Sequence, residues 1–139
     1  MMGIFSILFG DAENDAVMFQ QTKALADLGV AAAQNNIGVM YDKGKGVARD
    51  YAQAVMWFRK AADQGYAGAQ NNLGNKYCNG EGVSKDYTQA MIWYLLANAG
   101  GAAETARVLP VLKNYCTPAQ IAEAQRMASE WWAAHHPAN

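Results

Sequence analysis

Proline and long apolar runs are scarce in this chain. Its three prolines fall from Pro110 onward, so no proline interrupts a helix before that residue. The one sizeable apolar run, MMGIFSILFG, ends at Gly10 and is too short for a helix that spans a bilayer. We therefore expect no stable membrane insertion.

An excess of either charge is also missing. The formal net charge is −1, so no electrostatic footprint for nucleic acid or an anionic membrane is visible. With 52% hydrophobic and 17% charged residues, the composition is that of a globular protein. A length of 139 residues is that of one domain with a modest core.

Cysteine and histidine are too few to support much chemistry. Cys78 and Cys116 are expected to be free thiols, because no secretory signal argues for an oxidising compartment. His135 and His136 are adjacent near the C-terminal end, without further ligands in range. We expect no metal, no cofactor and no catalytic residue, since a nucleophile needs a base beside it.

The N-terminal segment has two open interpretations. No lysine or arginine precedes its apolar run and acidic residues follow it, which opposes a signal peptide and favours the cytoplasm over the periplasm. The segment is either a cap that packs on its neighbours or a short docking segment for a membrane or a partner.

An internal repeat organises the rest of the chain. Residues 33–68 align with residues 69–104 at an offset of 36, and 17 of the 36 aligned pairs are identical. Each copy carries a Gly-x-Gly-Val segment, as in YDKGKGVARDYAQAVMW and YCNGEGVSKDYTQAMIW. A phosphate-binding loop would follow a strand, whereas this segment follows a predicted helix. Lys45 also becomes Glu81, so we interpret the segment as a structural hinge whose glycines adopt positive φ.

Each copy predicts a first helix before the hinge. In the first copy it runs from about Ala31 to Lys43, with apolar residues at helical spacing. Glycine recurs inside this helix, at Gly38 and Gly74, although it is unfavourable there by about 1 kcal/mol. Its recurrence predicts that a partner helix approaches closely.

The second helix of each copy begins at an aspartate. Asp50 can accept from free N–H groups as an N-cap, and Gln53 is placed to reach back in a capping box, an arrangement that the second copy repeats. The helix ends near Gly65. Its buried side is predicted to include Trp57, and the second copy to bury Trp93.

The flanking segments predict three more helices. Residues 11–29 resemble a lone second helix, and Ala102–Tyr115 a degenerate first helix that kinks at Pro110. Thr117 begins the last helix as an N-cap followed by proline. The adjacent Trp131 and Trp132 point about 100° apart, so we expect one to be buried and the other exposed at a self-association surface.

Together these elements predict an all-α fold, an α-solenoid of about seven helices stacked in antiparallel pairs. We expect a single domain over residues 1–139. Its parts are 1–30 (N-terminal cap and truncated unit), 31–66 (first repeat), 67–102 (second repeat) and 103–139 (degenerate unit and C-terminal capping helix). A stack this short can extend itself as a homodimer through its end helices.

The repeat resembles the Sel-1-like repeat, a relative of the tetratricopeptide repeat. The matching residues are Asn36, Gly38, Tyr41, Gly44, Gly46, Val47, Asp50, Ala54, Trp57, Ala61, Ala62 and Gly65 in the first copy, and Asn72, Leu73, Gly74, Tyr77, Gly80, Gly82, Val83, Asp86, Ala90, Trp93 and Ala97 in the second. Asn98 departs from the pattern, which has a second alanine there. The resemblance covers about half of the chain. It implies a tetratricopeptide-like α/α superhelix, used as a non-enzymatic adaptor that binds a protein or peptide, often in bacteria.

In tetratricopeptide-like stacks the first helices line a concave groove, and the resemblance implies a partner there. The candidate binding residues on this side are Asn35, Val39, Asp42, Lys43, Asn71, Asn75, Cys78, Asn79, Arg107, Val111 and Asn114. Asn35, Asn71 and Arg107 form one row, which suits a peptide backbone and a carboxylate. These asparagines can equally be idle surface, and Asn36 and Asn72 can satisfy loop carbonyls inside the repeat.

Two alternatives to an adaptor stay open. A rigid repeat protein with a wide surface suits the neutralisation of a secreted toxin, as an immunity-type protein does. A small hydrolase, or a protein that binds cell-wall fragments, belongs to a different class. The hydrolase is disfavoured because neither Cys78 nor Cys116 has a histidine nearby in the repeat.

Overall fold

The computed structural model describes residues 11–138, which form seven α-helices and no strand. The helices are α1 (Asp11–Asp27), α2 (Ala31–Lys43), α3 (Tyr51–Asp63), α4 (Ala67–Asn79), α5 (Tyr87–Ala99), α6 (Thr105–Leu112) and α7 (Pro118–His135), with a 3₁₀ turn at Lys113–Tyr115. Consecutive helices pack on each other from α1 to α6, and α7 packs on α5. The predicted all-α solenoid is confirmed, while the N-terminal segment lies outside the described residues. None of the helices in residues 11–138 has the length and hydropathy to cross a membrane.

The two hinges, residues 44–49 and 80–85, have the positive φ angles that the sequence predicts. Gly46 has a φ of 75° and Gly82 a φ of 76°. A Cβ on Gly46 would overlap the carbonyl oxygen of Asp15 in α1, and one on Gly82 would overlap that of Tyr51 in α3. Each hinge therefore packs against the backbone of the preceding second helix, which fixes successive repeats against each other.

The aspartate caps are confirmed, but their capping boxes are not. The Oδ1 atom of Asp50 accepts from the N–H of Gln53 at 3.1 Å, and the second copy repeats this bond at 3.0 Å. The predicted reach of the glutamine side chain back to the cap is wrong. The N–H of Asp50 instead donates to the carbonyl of Tyr41 in α2 at 3.0 Å, so a backbone bond closes the hinge.

Glycines inside the first helices make room for rings, as predicted. A Cβ on Gly38 would lie 2.5 Å from the ring of Phe58 in α3, and one on Gly74 would lie 2.7 Å from the ring of Tyr94 in α5. Both rings are fully buried. The paired helices therefore approach as closely as the ring thickness allows.

The tryptophans are placed partly as predicted. Trp57 and Trp93 lie in the core. The prediction that one of Trp131 and Trp132 is buried and the other exposed is wrong, because both are half-buried against the main core. Trp131 packs edge-on against Trp93, with ring centroids 6.4 Å apart. Each of the two also stacks on the histidine four residues later.

The degenerate third unit is shorter than predicted. α6 begins at Thr105 rather than at Ala102. The buried hydroxyl of Thr105 donates to the carbonyl of Ala102 at 2.7 Å, so a turn replaces the first helical turn. Pro110 lies inside α6. Because proline removes a helical hydrogen bond, the helix soon gives way to the 3₁₀ turn rather than kinking and continuing.

Candidate functional site

A polar pocket of about 330 Å³ lies on the side of the stack formed by the first helices α2 and α4. It is lined by Asp42, Lys43, Arg49, Tyr51, Asn72, Asn75, Lys76, Asn79 and Glu81. Four of the predicted groove residues meet here, namely Asp42, Lys43, Asn75 and Asn79. Since both repeats and both hinges contribute, the pocket belongs to the contact between repeats and not to either repeat alone.

Lys76 is the buried charge at the centre of this pocket. Its side chain is only 7% exposed, and its ammonium pairs with Asp42 of α2 and with Glu81 of the second hinge, the latter at 3.1 Å. The ammonium also lies 4.7 Å from the ring centre of Tyr51. One cation therefore joins the first helix of one repeat, the start of its second helix, and the hinge of the next repeat.

These contacts determine the ionisation of Lys76 and Glu81. Burial alone would lower the pKa of Lys76, but its hydrogen bonds to Asp42 and Glu81 outweigh that effect and raise this pKa above its ordinary value. The hydrogen bond from Lys76, assisted by Tyr51 and Asn79, lowers the pKa of Glu81. Both groups therefore stay charged at neutral pH.

We expect the contribution of Glu81 to stability to disappear in acid. Because its pKa is lowered in the folded state, that contribution is present above the ordinary value near 4.5 and is lost as the pH falls through the folded-state pKa. Urea unfolding should give a lower free energy for Glu81→Gln than for the wild type at pH 7, by about 1 kcal/mol or less, and the difference should shrink as the pH falls below the ordinary pKa of a glutamate. A difference that stays the same from pH 7 into the acid range would contradict this assignment.

Asparagines connect the pocket to the core and to the neighbouring repeat. The hydroxyl of Tyr94 donates to Oδ1 of Asn75. Burial raises the pKa of Tyr94, so the hydroxyl remains a donor. Nδ2 of Asn72 donates to Oδ1 of Asn35 at 3.0 Å. The alternative that Asn72 satisfies a loop carbonyl is therefore wrong, because its partner is a side-chain amide of the preceding repeat. The equivalent residue of the first repeat, Asn36, is exposed.

Besides Asn35, six predicted groove residues do not line this pocket. Val39 and Cys78 are half-buried and pack against the main core. The other four are Asn71, which is half-buried, and Arg107, Val111 and Asn114, which are exposed in the third unit. The predicted row of two asparagines and an arginine along the first helices stays a prediction.

Sequence reasoning missed Lys76, Glu81 and Arg49. The sequence does contain a signal for Lys76, because this residue aligns with Met40 of the first copy, which is buried. A charge at an aligned core position indicates a partner for that charge. The change from Lys45 to Glu81 is a second signal, because the reversed charge of the second hinge has its own partner in Lys76.

The described residues give little support to a nucleophilic cysteine or a metal site. Cys78 and Cys116 are free, as predicted. Burial raises the pKa of Cys78, while burial, the neighbouring Cys78 and Asp86 raise that of Cys116. A raised pKa keeps a thiol protonated, which disfavours nucleophilic attack. Within residues 11–138 no three His, Cys, Asp or Glu side chains are grouped to hold a metal ion.

The chain has stacked antiparallel helix pairs and a 36-residue repeat, which define its class as an α-solenoid. The chain belongs to the Sel1 repeat family, whose model matches residues 31–66 and 67–101. Sel1 repeat proteins generally mediate protein–protein interaction.

Two solved bacterial structures are similar to this chain. The c5321 protein, a protective antigen of uropathogenic Escherichia coli with an SLR fold, is 31% identical at a TM-score of 0.86, over 96% of this chain and 29% of its own. A Sel1 repeat protein from Oxalobacter formigenes is 29% identical at a TM-score of 0.71, over 91% of this chain and 54% of its own. The chain thus spans less than a third of one and about half of the other. The search of curated proteins gave no match.

Proposed function

We propose that this protein is a non-enzymatic interaction module that binds a segment of a protein partner in the polar pocket between its two repeats. The observation that carries the proposal is the pocket itself, where Asp42, Asn75 and Asn79 of the predicted groove lie together. The membership of the chain in a family of interaction proteins supports the same conclusion.

The pocket has the groups that hold a polypeptide backbone. Asparagine amides offer both donors and acceptors, and Asn79 is exposed at the C-terminal end of α4. The ion pairs of Lys76 hold both repeats in place around the pocket before a partner arrives. Because a preformed site loses less freedom on binding, this rigidity favours recognition of an extended segment.

Site-specific crosslinking followed by a pocket-filling variant tests the proposal. A photo-crosslinking amino acid at residue 79, in cells that make the protein natively, should give an adduct with a partner protein, whereas one at Gln125 of α7 should not. With the purified partner, calorimetry should show binding at least about tenfold weaker for Asn79→Trp, because the indole fills the pocket.

Gln125→Trp is the matched control, since Gln125 is an exposed residue that lines an apolar groove between α5 and α7. It should bind with wild-type affinity. If Asn79→Trp leaves the affinity unchanged, or if only Gln125→Trp weakens it, the polar pocket is not the binding site.

A further inference from the structure

Positive charge without an ion-pair partner lines the polar pocket. Lys43 of α2 and Arg49 of the first hinge line the pocket, and Lys45 lies between them in the chain. None of these three makes an ion pair within residues 11–138, whereas the buried Lys76 is already paired. Since the formal net charge of the chain is −1, this positive charge is a local feature.

Asn75 and Arg49 offer the pocket donors for a ligand that accepts hydrogen bonds. Because Oδ1 of Asn75 is engaged by the hydroxyl of Tyr94, its Nδ2 is left to donate. The guanidinium of Arg49 lies 5.4 Å from the ring centre of Tyr51. Contact with a ring holds a guanidinium in place and leaves its N–H groups free for a carboxylate.

The third unit carries apolar residues at three positions that align with polar pocket residues of α4. The residues there, 36 positions after Asn75, Lys76 and Asn79, are Val111, Leu112 and Tyr115. The ring of Tyr115 packs on that of Tyr87, with centroids 5.5 Å apart. The charges of Lys43 and Lys76 are therefore not repeated 36 positions later, where Asn79 and Leu112 stand. The position of Arg49 keeps a cation over a tyrosine ring, Lys85 over Tyr87.

We propose that the polar pocket binds the carboxylate side chains of an acidic segment in the partner protein. Lys43 and Arg49 pair with the carboxylates, and Asn75 donates to a carboxylate or backbone oxygen. This inference rests on the proposed function and adds the chemistry of the partner to it. Because both cations are exposed, binding weakens as the salt concentration rises.

Four probes, titrated into the isotope-labelled full chain and followed by NMR, separate the sources of negative charge. They are a capped peptide of alternating Asp and Glu, its Asn and Gln isostere, a glycine peptide with a free C-terminal carboxylate, and inorganic phosphate. We expect the capped acidic peptide to shift the backbone amide signals of residues 42–51 and 72–81, and the other three to shift them far less.

Charge reversal at the pocket provides the variant. Lys43→Glu/Arg49→Glu should bind the acidic peptide at least about tenfold more weakly, a difference of about 1.4 kcal/mol. Lys85→Glu/Lys113→Glu is the control, since it makes the same change in net charge outside the pocket. Lys85 also aligns with Arg49 in the repeat and lies over a tyrosine ring in the same way, 5.1 Å from the centre of Tyr87.

Several results would overturn the inference. They are equal shifts with phosphate, binding of the free C-terminal carboxylate but not of the capped acidic peptide, equal weakening by both double variants, and no shift with any probe. Equal binding of the uncharged isostere also overturns it, yet that result leaves the proposed peptide site standing. A different observation would contradict the proposed function, namely that a purified partner binds Asn79→Trp with wild-type affinity.

Discussion

Gly82→Ala should destabilise the protein by about 2–5 kcal/mol. Gly82 has a φ of 76°, and an added Cβ would overlap the carbonyl oxygen of Tyr51 in α3. A left-handed backbone costs a non-glycine residue about 1–2 kcal/mol. Overlap with a backbone atom adds about 1–3 kcal/mol, because the helix that carries it must shift. Urea unfolding followed by circular dichroism measures the loss.

Gly101→Ala is the matched control for this substitution. Gly101 has a φ of 97°, yet nothing lies within 4 Å of the Cβ that alanine would add. Only the backbone term of about 1–2 kcal/mol should therefore appear. Equal losses for the two variants would mean that the contact between the second hinge and α3 contributes nothing, and the account of how the repeats are fixed would be wrong.

Removal of both carboxylates around Lys76 should cost far more than removal of Lys76 itself. Asp42→Ala/Glu81→Ala leaves a buried ammonium without an ion-pair partner, which should lower the free energy of unfolding by about 2–4 kcal/mol. Lys76→Met removes the charge and introduces the residue that the first copy buries at this position, Met40. That change should cost about 1 kcal/mol or less.

An exposed charge cluster provides the control for the double variant. Arg126 pairs with Glu123 and Glu130 on the surface of α7, and both partners are exposed. Glu123→Ala/Glu130→Ala should change the free energy of unfolding little, because water solvates the guanidinium left behind. Denaturant unfolding at pH 7 compares all four proteins. A loss for the pocket variant no larger than that of the control would contradict a buried, obligately paired Lys76.

The hinges, the caps and the close helix contacts could be predicted because each depends on a few nearby residues. A glycine that recurs inside a helix, as Gly38 and Gly74 do, indicates a close approach whatever lies opposite. The aspartate caps follow from the same local chemistry. The reach of Gln53 was not predictable in this way, because the carbonyl of Tyr41, which occupies the cap N–H, comes from the preceding helix.

The centre of the pocket could not be predicted, because it depends on how one repeat sits on the next. Lys76 and Asp42 are 34 residues apart, on different first helices. Helical periodicity places each on a side of its own helix but does not measure the distance between helices. Identities between the two copies identify only the residues that they share, whereas Lys76 and Glu81 are positions at which the copies differ.

Hydrogen–deuterium exchange of the complex tests most directly whether a partner binds in the polar pocket. We expect the partner to slow exchange in residues 42–51 and 72–81, around the polar pocket, and to leave α7 unchanged. Slower exchange confined to α5 and α7, around the apolar groove lined by Leu95, Ala128 and Trp132, would contradict it.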